Sequence, residues 1–163
     1  MGDQLRVSGI VLAGGMSRRL GRQKALEPLG GEPMIMRVIG RLSPVVNRGM
    51  VVVVSDEARA SALSLPASAR LAVDRYPGAG PLGGIFTGLE AADGDWSIVV
   101  SCDMPFLRAQ LFDHMLGETK GYDAVVPLIG GWPEPTHSIY ARSCLPHMER
   151  KILVGDLKIA SFF

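Results

Sequence analysis

Near the start of the chain, Gly14 and Gly15 are followed within nine residues by Arg18, Arg19, Arg22 and Lys24. The full segment is Leu12-Ala13-Gly14-Gly15-Met16-Ser17-Arg18-Arg19-Leu20-Gly21-Arg22-Gln23-Lys24, and it leaves the apolar run Val7-Ser8-Gly9-Ile10-Val11. Paired glycines let a backbone approach an anion and present its N–H groups to it. The cations then neutralise charge that the backbone cannot. A cation ~4 Å from a phosphate oxygen gains about 4 kcal/mol at an effective dielectric near 20. The segment reads as a triphosphate-binding loop. The plainer alternative is a tight turn with a solvated basic face. It is not a Walker A loop, because no G-x-x-x-x-G-K-[ST] can be drawn through it.

Two carboxylates stand in comparable positions. Asp103 follows the apolar run Ile98-Val99-Val100 and is braced by Pro105. Mg²⁺ takes oxygen ligands and is commonly held by one or two carboxylates plus substrate phosphates, which makes Asp103 a candidate metal ligand. Read alone, it would serve equally well as a helix N-cap or turn residue. Asp74 precedes Arg75-Tyr76-Pro77-Gly78-Ala79-Gly80-Pro81-Leu82-Gly83-Gly84. Gly78, Gly80 and Gly83 spell G-x-G-x-x-G, and Asp103 lies 20 residues beyond Gly83, as in a dinucleotide fingerprint. Two features oppose that reading. Four residues separate the apolar run from the first glycine, and Pro81 removes an N–H from the turn. The stretch is better read as a glycine-rich wall that approaches a substrate closely, with Asp74 available to a base or ribose.

The elements that would position these groups alternate. Ser8–Leu12, Met50–Val54, Arg70–Val73, Trp96–Ser101, Ala124–Val126 and Thr136–Ala141 are predicted strands. Residues 51–54 are uniformly apolar, as in a strand covered on both faces. Pro33–Leu42, Glu57–Leu63, Leu82–Ala92, Leu107–Leu116 and Ser143–Leu153 are predicted helices. Met34, Ile35, Val38, Ile39 and Leu42 recur at helical spacing. The alternation predicts an α/β fold with a mostly parallel central sheet and helices on both faces. Ligands of such sheets bind beyond the carboxyl ends of the strands, where all the segments above emerge. A fourth such loop, Ser55-Asp56-Glu57, reads as a helix N-cap. His114 and His147 read as surface residues. His137 reads as a strand residue, with contact to an acceptor as the alternative.

The 163 residues suit a single domain, taken as 1–163. A net charge of +1 does not favour nucleic acid as a partner, since such binders carry a basic face. No apolar run approaches the ~18 residues of a membrane span, and the first residues lack the pattern of a secretory signal. Cys102 and Cys144 stand in no metal-like spacing and read as buried filler in a reducing, cytoplasmic setting.

Leu12 to Lys24 matches the pattern Leu-Ala-Gly-Gly-x-Ser-x-Arg-x-Gly-x-x-Lys, Asp74 precedes Tyr76-Pro77-Gly78, and Cys102-Asp103-Met104-Pro105 matches Cys-Asp-x-Pro. In that order and at those separations, the chain resembles the molybdenum cofactor guanylyltransferases. These are nucleotidyltransferases of three-layer, Rossmann-like fold, related to nucleotide-sugar synthases. The resemblance implies transfer of GMP from GTP to the phosphate of molybdopterin or molybdenum-molybdopterin, with release of pyrophosphate. It implies that Leu12, Ala13, Gly14 and Gly15 contact the nucleotide, that Lys24 binds phosphate, and that Asp74 binds the guanosine part. Asp103 would hold Mg²⁺, or Mn²⁺ in its place, while Arg19 and Lys24 stabilise charge on the departing pyrophosphate. Transient contact with other molybdenum cofactor proteins is expected. Cytidylyltransferase relatives tend to read Leu-Ala-Ala-Gly, so Gly14 favours GTP. A cytidylyltransferase, a sugar-nucleotide synthase, a dinucleotide-binding oxidoreductase and a non-catalytic GTP-binding protein are the rivals. Ser55 stands where some relatives carry Asn as a nucleotide contact. Family members also continue into a segment bearing Asn-x-Asn-Thr-Pro, which these residues do not show.

Overall fold

The computed structural model of the chain describes residues 4–14 and 23–163. Strand β1 (Val7–Leu12) comes first, then a 3-10 turn at Lys24–Leu26 and a small hairpin of β2 (Pro28–Leu29) and β3 (Glu32–Pro33). Helix α1 (Met34–Leu42), β4 (Met50–Val54), α2 (Glu57–Ser61), β5 (Ala69–Val73), α3 (Gly80–Ala91) and β6 (Trp96–Ser101) follow in alternation. The remainder comprises α4 (Ala109–Gly117), β7 (Ala124–Val125), a second hairpin of β8 (Leu128–Ile129) and β9 (Trp132–Pro133), then β10 (His137–Ala141) and α5 (Leu145–Leu153).

Six strands form one sheet in the order β5-β4-β1-β6-β10-β7. The first four are mutually parallel, and β10 pairs antiparallel with both β6 and β7. Side chains alternate strictly across the pleat. Val7, Val11, Met50, Val52, Val54, Ile98, Val100 and Ile139 point into one core, against Ile35, Val38, Ile39 and Leu42 of α1 and Phe112 and Met115 of α4. Ile10, Val51, Val53, Val99 and Tyr140 point into the other, against Leu82, Ile85, Phe86 and Leu89 of α3 and Met148 of α5. This is the expected three-layer arrangement of a mostly parallel sheet between helices. Helix α3 reaches the sheet because of Gly88, where a Cβ would lie 2.4 Å from Ile10 Cγ2.

The predicted elements match closely, with two kinds of difference. Helix α3 starts at Gly80 rather than Leu82 because Pro81 fits a first helical turn, where its missing N–H has no partner to lose. The segment between Val126 and Thr136, for which no element is predicted, contains the β8–β9 hairpin. Gly130 (φ 58°) and Gly131 (φ 85°) both adopt the left-handed conformation that such a two-residue turn requires. Gly30 and Gly31 do the same between β2 and β3. Among the described residues, no helix is long and apolar enough to cross a membrane.

Candidate functional site

Because β1, β4, β5 and β6 are parallel, their carboxyl ends share one edge of the sheet. Backbone pairing continues past the strands and pins the start of each loop. Ala13 N donates to Val53 O at 2.7 Å, Cys102 N to Leu12 O at 3.0 Å, and Asp74 N to Val54 O at 2.8 Å. Leu12, Gly14, Ser55, Asp74, Gly78 and Thr136 line a cleft of about 390 Å³ along this edge. Gly14 favours the closeness of two of its walls, since a Cβ there would lie 3.3 Å from Ser55 N, a tight contact. A larger cavity of about 540 Å³ involves Tyr122, Cys144, His147, Arg150 and the two terminal phenylalanines, and includes neither Asp74 nor Asp103.

Lys24 and Asp103, 79 residues apart in sequence, meet with Nζ 3.4 Å from Oδ2. Each is anchored by an apolar neighbour. Ala25, 2% exposed, ties the turn carrying Lys24 into the core beneath α1. Cys102 and Pro105 are buried on either side of the Asp103 loop, and Met104 N donates to Ser101 O. Met104 Sδ lies 3.2 Å from His137 Nδ1, and the His137 ring packs on Phe112 at 4.6 Å. Burial lowers the affinity of His137 for a proton. His137 thus braces the Asp103 loop from β10.

The Lys24 and Asp103 side chains are 47% and 43% exposed. An ion pair so wet contributes little, about 0–1 kcal/mol. Its members are free to exchange each other for charges on a ligand. The donor set suits a hydrated, oxygen-seeking cation. Asp103 provides one accessible carboxylate, and Mg²⁺ is typically completed by substrate phosphates and water. Among the described residues, no group of three or more His, Cys, Asp or Glu side chains could enclose a metal.

Asp74 is held differently. Its Oδ1 accepts from Tyr76 N at 3.0 Å and from the hydroxyl of Thr87, on α3, at 3.2 Å. Gly83 lets the helix approach, since a Cβ there would lie 2.9 Å from Tyr76 O and 3.2 Å from Asp74 Oδ1. Gly78 and Gly80 line the cleft with positive φ angles of 97° and 61°. These glycines form a wall where the chain passes from edge strand β5 into α3, and Gly83 serves packing between loop and helix.

Gly15 and Arg19, with Arg18 and Arg22, lie outside the described residues. Leu12, Gly14 and Asp74 meet in the cleft, Ala13 is buried beside it, and Lys24 joins Asp103. Ser55 donates to Asp56 Oδ2 at 2.8 Å. Asp56 caps α2 by accepting from Arg59 N, and that bond, with the one from Ser55, holds its carboxyl below the ordinary range. His114 and His147 are exposed. Cys102 and Cys144 are buried, and burial pushes each thiol up to about 11. Thr87 and Thr136 escaped the reading of the sequence. Thr87 had one usable signal, as the polar residue within the otherwise glycine-rich and apolar stretch 82–89. Thr136 had none.

A model of the MobA-like NTP transferase domain matches residues 9–162. A probable molybdenum cofactor guanylyltransferase of Pelotomaculum thermopropionicum is 36% identical over 159 residues, covering 98% of this chain and 75% of the relative. The crystal structure of molybdopterin-guanine dinucleotide biosynthesis protein A from Archaeoglobus fulgidus superposes with a TM-score of 0.78 at 34% identity, over 95% of this chain and 77% of that one. A CMP:2-keto-3-deoxy-manno-octonic acid synthetase complexed with CTP superposes with a TM-score of 0.66 at 16% identity, covering 93% and 84%, a likeness of fold alone.

Proposed function

Because this chain belongs to the MobA-like NTP transferase family, we propose that it transfers GMP from GTP to the terminal phosphate of molybdopterin or molybdenum-molybdopterin. The observation that carries this reading is the meeting of Lys24 with Asp103 on the strand edge that also supplies Leu12, Gly14 and Asp74. One face of the site then offers a cation and a carboxylate to phosphates, and the other offers a walled cleft to a nucleoside.

In the proposed reaction an acceptor phosphate oxygen attacks the α-phosphorus of GTP in line. The new P–O bond forms as the bond to the β-phosphate oxygen breaks, and pyrophosphate carries away the electron pair. The attacking phosphate is already anionic, so no side chain need remove a proton. Such transfers depend on positioning and charge neutralisation. Backbone N–H groups at Gly14 and Gly15 would cradle phosphates. Lys24 would leave Asp103 for the phosphate chain and meet charge developing on the leaving group together with Arg19. Mg²⁺, or Mn²⁺, held by Asp103 would supply further neutralisation of phosphate oxygens when bound. Leu12, Ala13 and Asp74 would seat the nucleoside. A cytoplasmic setting, and passing contact with other molybdenum cofactor proteins, complete the proposal, with residues 1–163 acting as one nucleotidyltransferase domain.

The test is a nucleotide panel with Mg²⁺ and molybdopterin, read for pyrophosphate. GTP is expected to give acceptor-dependent pyrophosphate, and CTP and UTP little. Equal turnover with CTP would reassign the donor. GTP binding without pyrophosphate release would make the protein a non-catalytic GTP binder.

A further inference from the structure

We propose that Thr87 is a positioning residue for the nucleotide, holding the Asp74 carboxylate so that a single oxygen is left for the ligand. The inference rests on the reading of Asp74 as a nucleotide contact and adds the residue that aims it.

Thr87 is 3% exposed on α3, within a helix whose residues 82–89 are all buried. A hydroxyl taken out of water without partners is costly, and this one has two. It donates to Asp74 Oδ1 at 3.2 Å and accepts from Arg75 N at 3.1 Å. Tyr76 N supplies the second donor to the same Oδ1 at 3.0 Å. Two donors occupy both lone pairs of Oδ1. Oδ2 has no partner among the described residues, and Asp74 lines the cleft. One helical turn before Thr87, the bare face of Gly83 seats Tyr76 O and Asp74 Oδ1. Tyr76 also packs edge-on against Phe86, with ring centroids 5.3 Å apart. The loop from Asp74 to Tyr76 is therefore bonded to α3 through Thr87 and packed against it at Gly83 and Phe86.

Two consequences follow for recognition. Asp74 cannot rotate freely, so little ordering remains to be done when ligand arrives. It also cannot clasp two adjacent donors with its two oxygens, because one is already satisfied. It offers one acceptor in a set direction, and Thr87 sets that direction.

The test is Thr87→Val, which keeps the shape and removes the hydroxyl, with Thr87→Ala as the substitute should the valine variant not fold. GTP affinity by calorimetry, and KM for GTP, are expected to weaken about five- to tenfold while kcat stays within about twofold. Thr87→Ser should restore both to within about twofold. In an Asp74→Asn background, Thr87→Val should weaken GTP by less than about twofold more, because its effect runs through the carboxylate. Wild-type GTP affinity in folded Thr87→Val, or an undiminished effect in the Asp74→Asn background, would overturn the positioning role. If Asp74→Asn itself binds GTP like the wild type, the reading of Asp74 as a nucleotide contact falls instead.

Discussion

On the β5 side of the cleft, Asp74 accepts two hydrogen bonds on one oxygen from a buried threonine and a backbone N–H. On the β1–β6 side, Lys24 and Asp103 hold each other across 3.4 Å with nearly half of each side chain in water. The first arrangement is built before ligand arrives. The second is a pair of opposite charges whose mutual attraction is weak. The difference matches the tasks proposed for the two sides. A nucleoside is recognised by shape and direction, which reward a rigid wall. Phosphoryl-transfer charge shifts during the reaction, and groups that meet it must be able to leave their resting partners.

The comparison breaks most visibly on the phosphate side. Lys24→Ala and Asp103→Ala are each expected to lower kcat/KM by about 10²–10³-fold in a pyrophosphate-release assay, the scale for losing one electrostatic contact to a transition state. Their thermal melts should stay near the wild-type midpoint, since the exposed pair adds little to folding. Chelation of divalent metal should remove turnover to a similar degree, and Mg²⁺ or Mn²⁺ should restore it. Full turnover in chelator would exclude the role proposed for Asp103.

On the nucleoside side, Gly83→Ala sets a Cβ 2.9 Å from Tyr76 O and must displace the Asp74 loop. We expect KM for GTP to rise about tenfold with kcat little changed. Gly88→Ala, five residues further along α3, drives a Cβ into Ile10 rather than into the cleft. Overpacking of this kind costs about 1–3 kcal/mol, or a fall of about 3–10 °C in Tm, and activity per folded molecule should remain. Similar kinetics for the two glycine variants would erase the distinction between packing and site. The smallest effect is expected at Cys102. Burial, with the Asp103 charge beside it, pushes its thiol up to about 11, so it stays protonated at neutral pH. Cys102→Ala should keep kcat/KM within about threefold, and thiol reagents at pH 8 should label the native protein far more slowly than the unfolded chain.

Much of this was legible from residue order. The unbroken apolar run at 51–54 announced a strand covered on both faces, and it is buried throughout. The spacing of Met34, Ile35, Val38, Ile39 and Leu42 announced a helix with one apolar side, and all but Met34 are its buried residues. Asp74 and Asp103 stood just beyond apolar runs, so their arrival on one edge followed from the parallel sheet that the alternation predicted. The β8–β9 hairpin was missed because each of its strands is only two residues long, too short for an alternation to show, although the Gly130-Gly131 pair carried the signal. Thr87 was missed because a threonine in a buried helix looks like packing until its hydroxyl is seen to have partners.

The sequence by itself determined the class of fold and the cast of charges, because hydrophobic period and strand-end loops are local properties of the chain. Only the tertiary structure decided which charges meet. Lys24 and Asp103 are brought together by the parallel pairing of β1 with β6, and Asp74 is aimed by a helix that begins six residues after it. Hydrogen bonds and ion pairs need distances that are right to within a few tenths of an ångström, and that precision is set by the packing of strands and helices far apart along the chain.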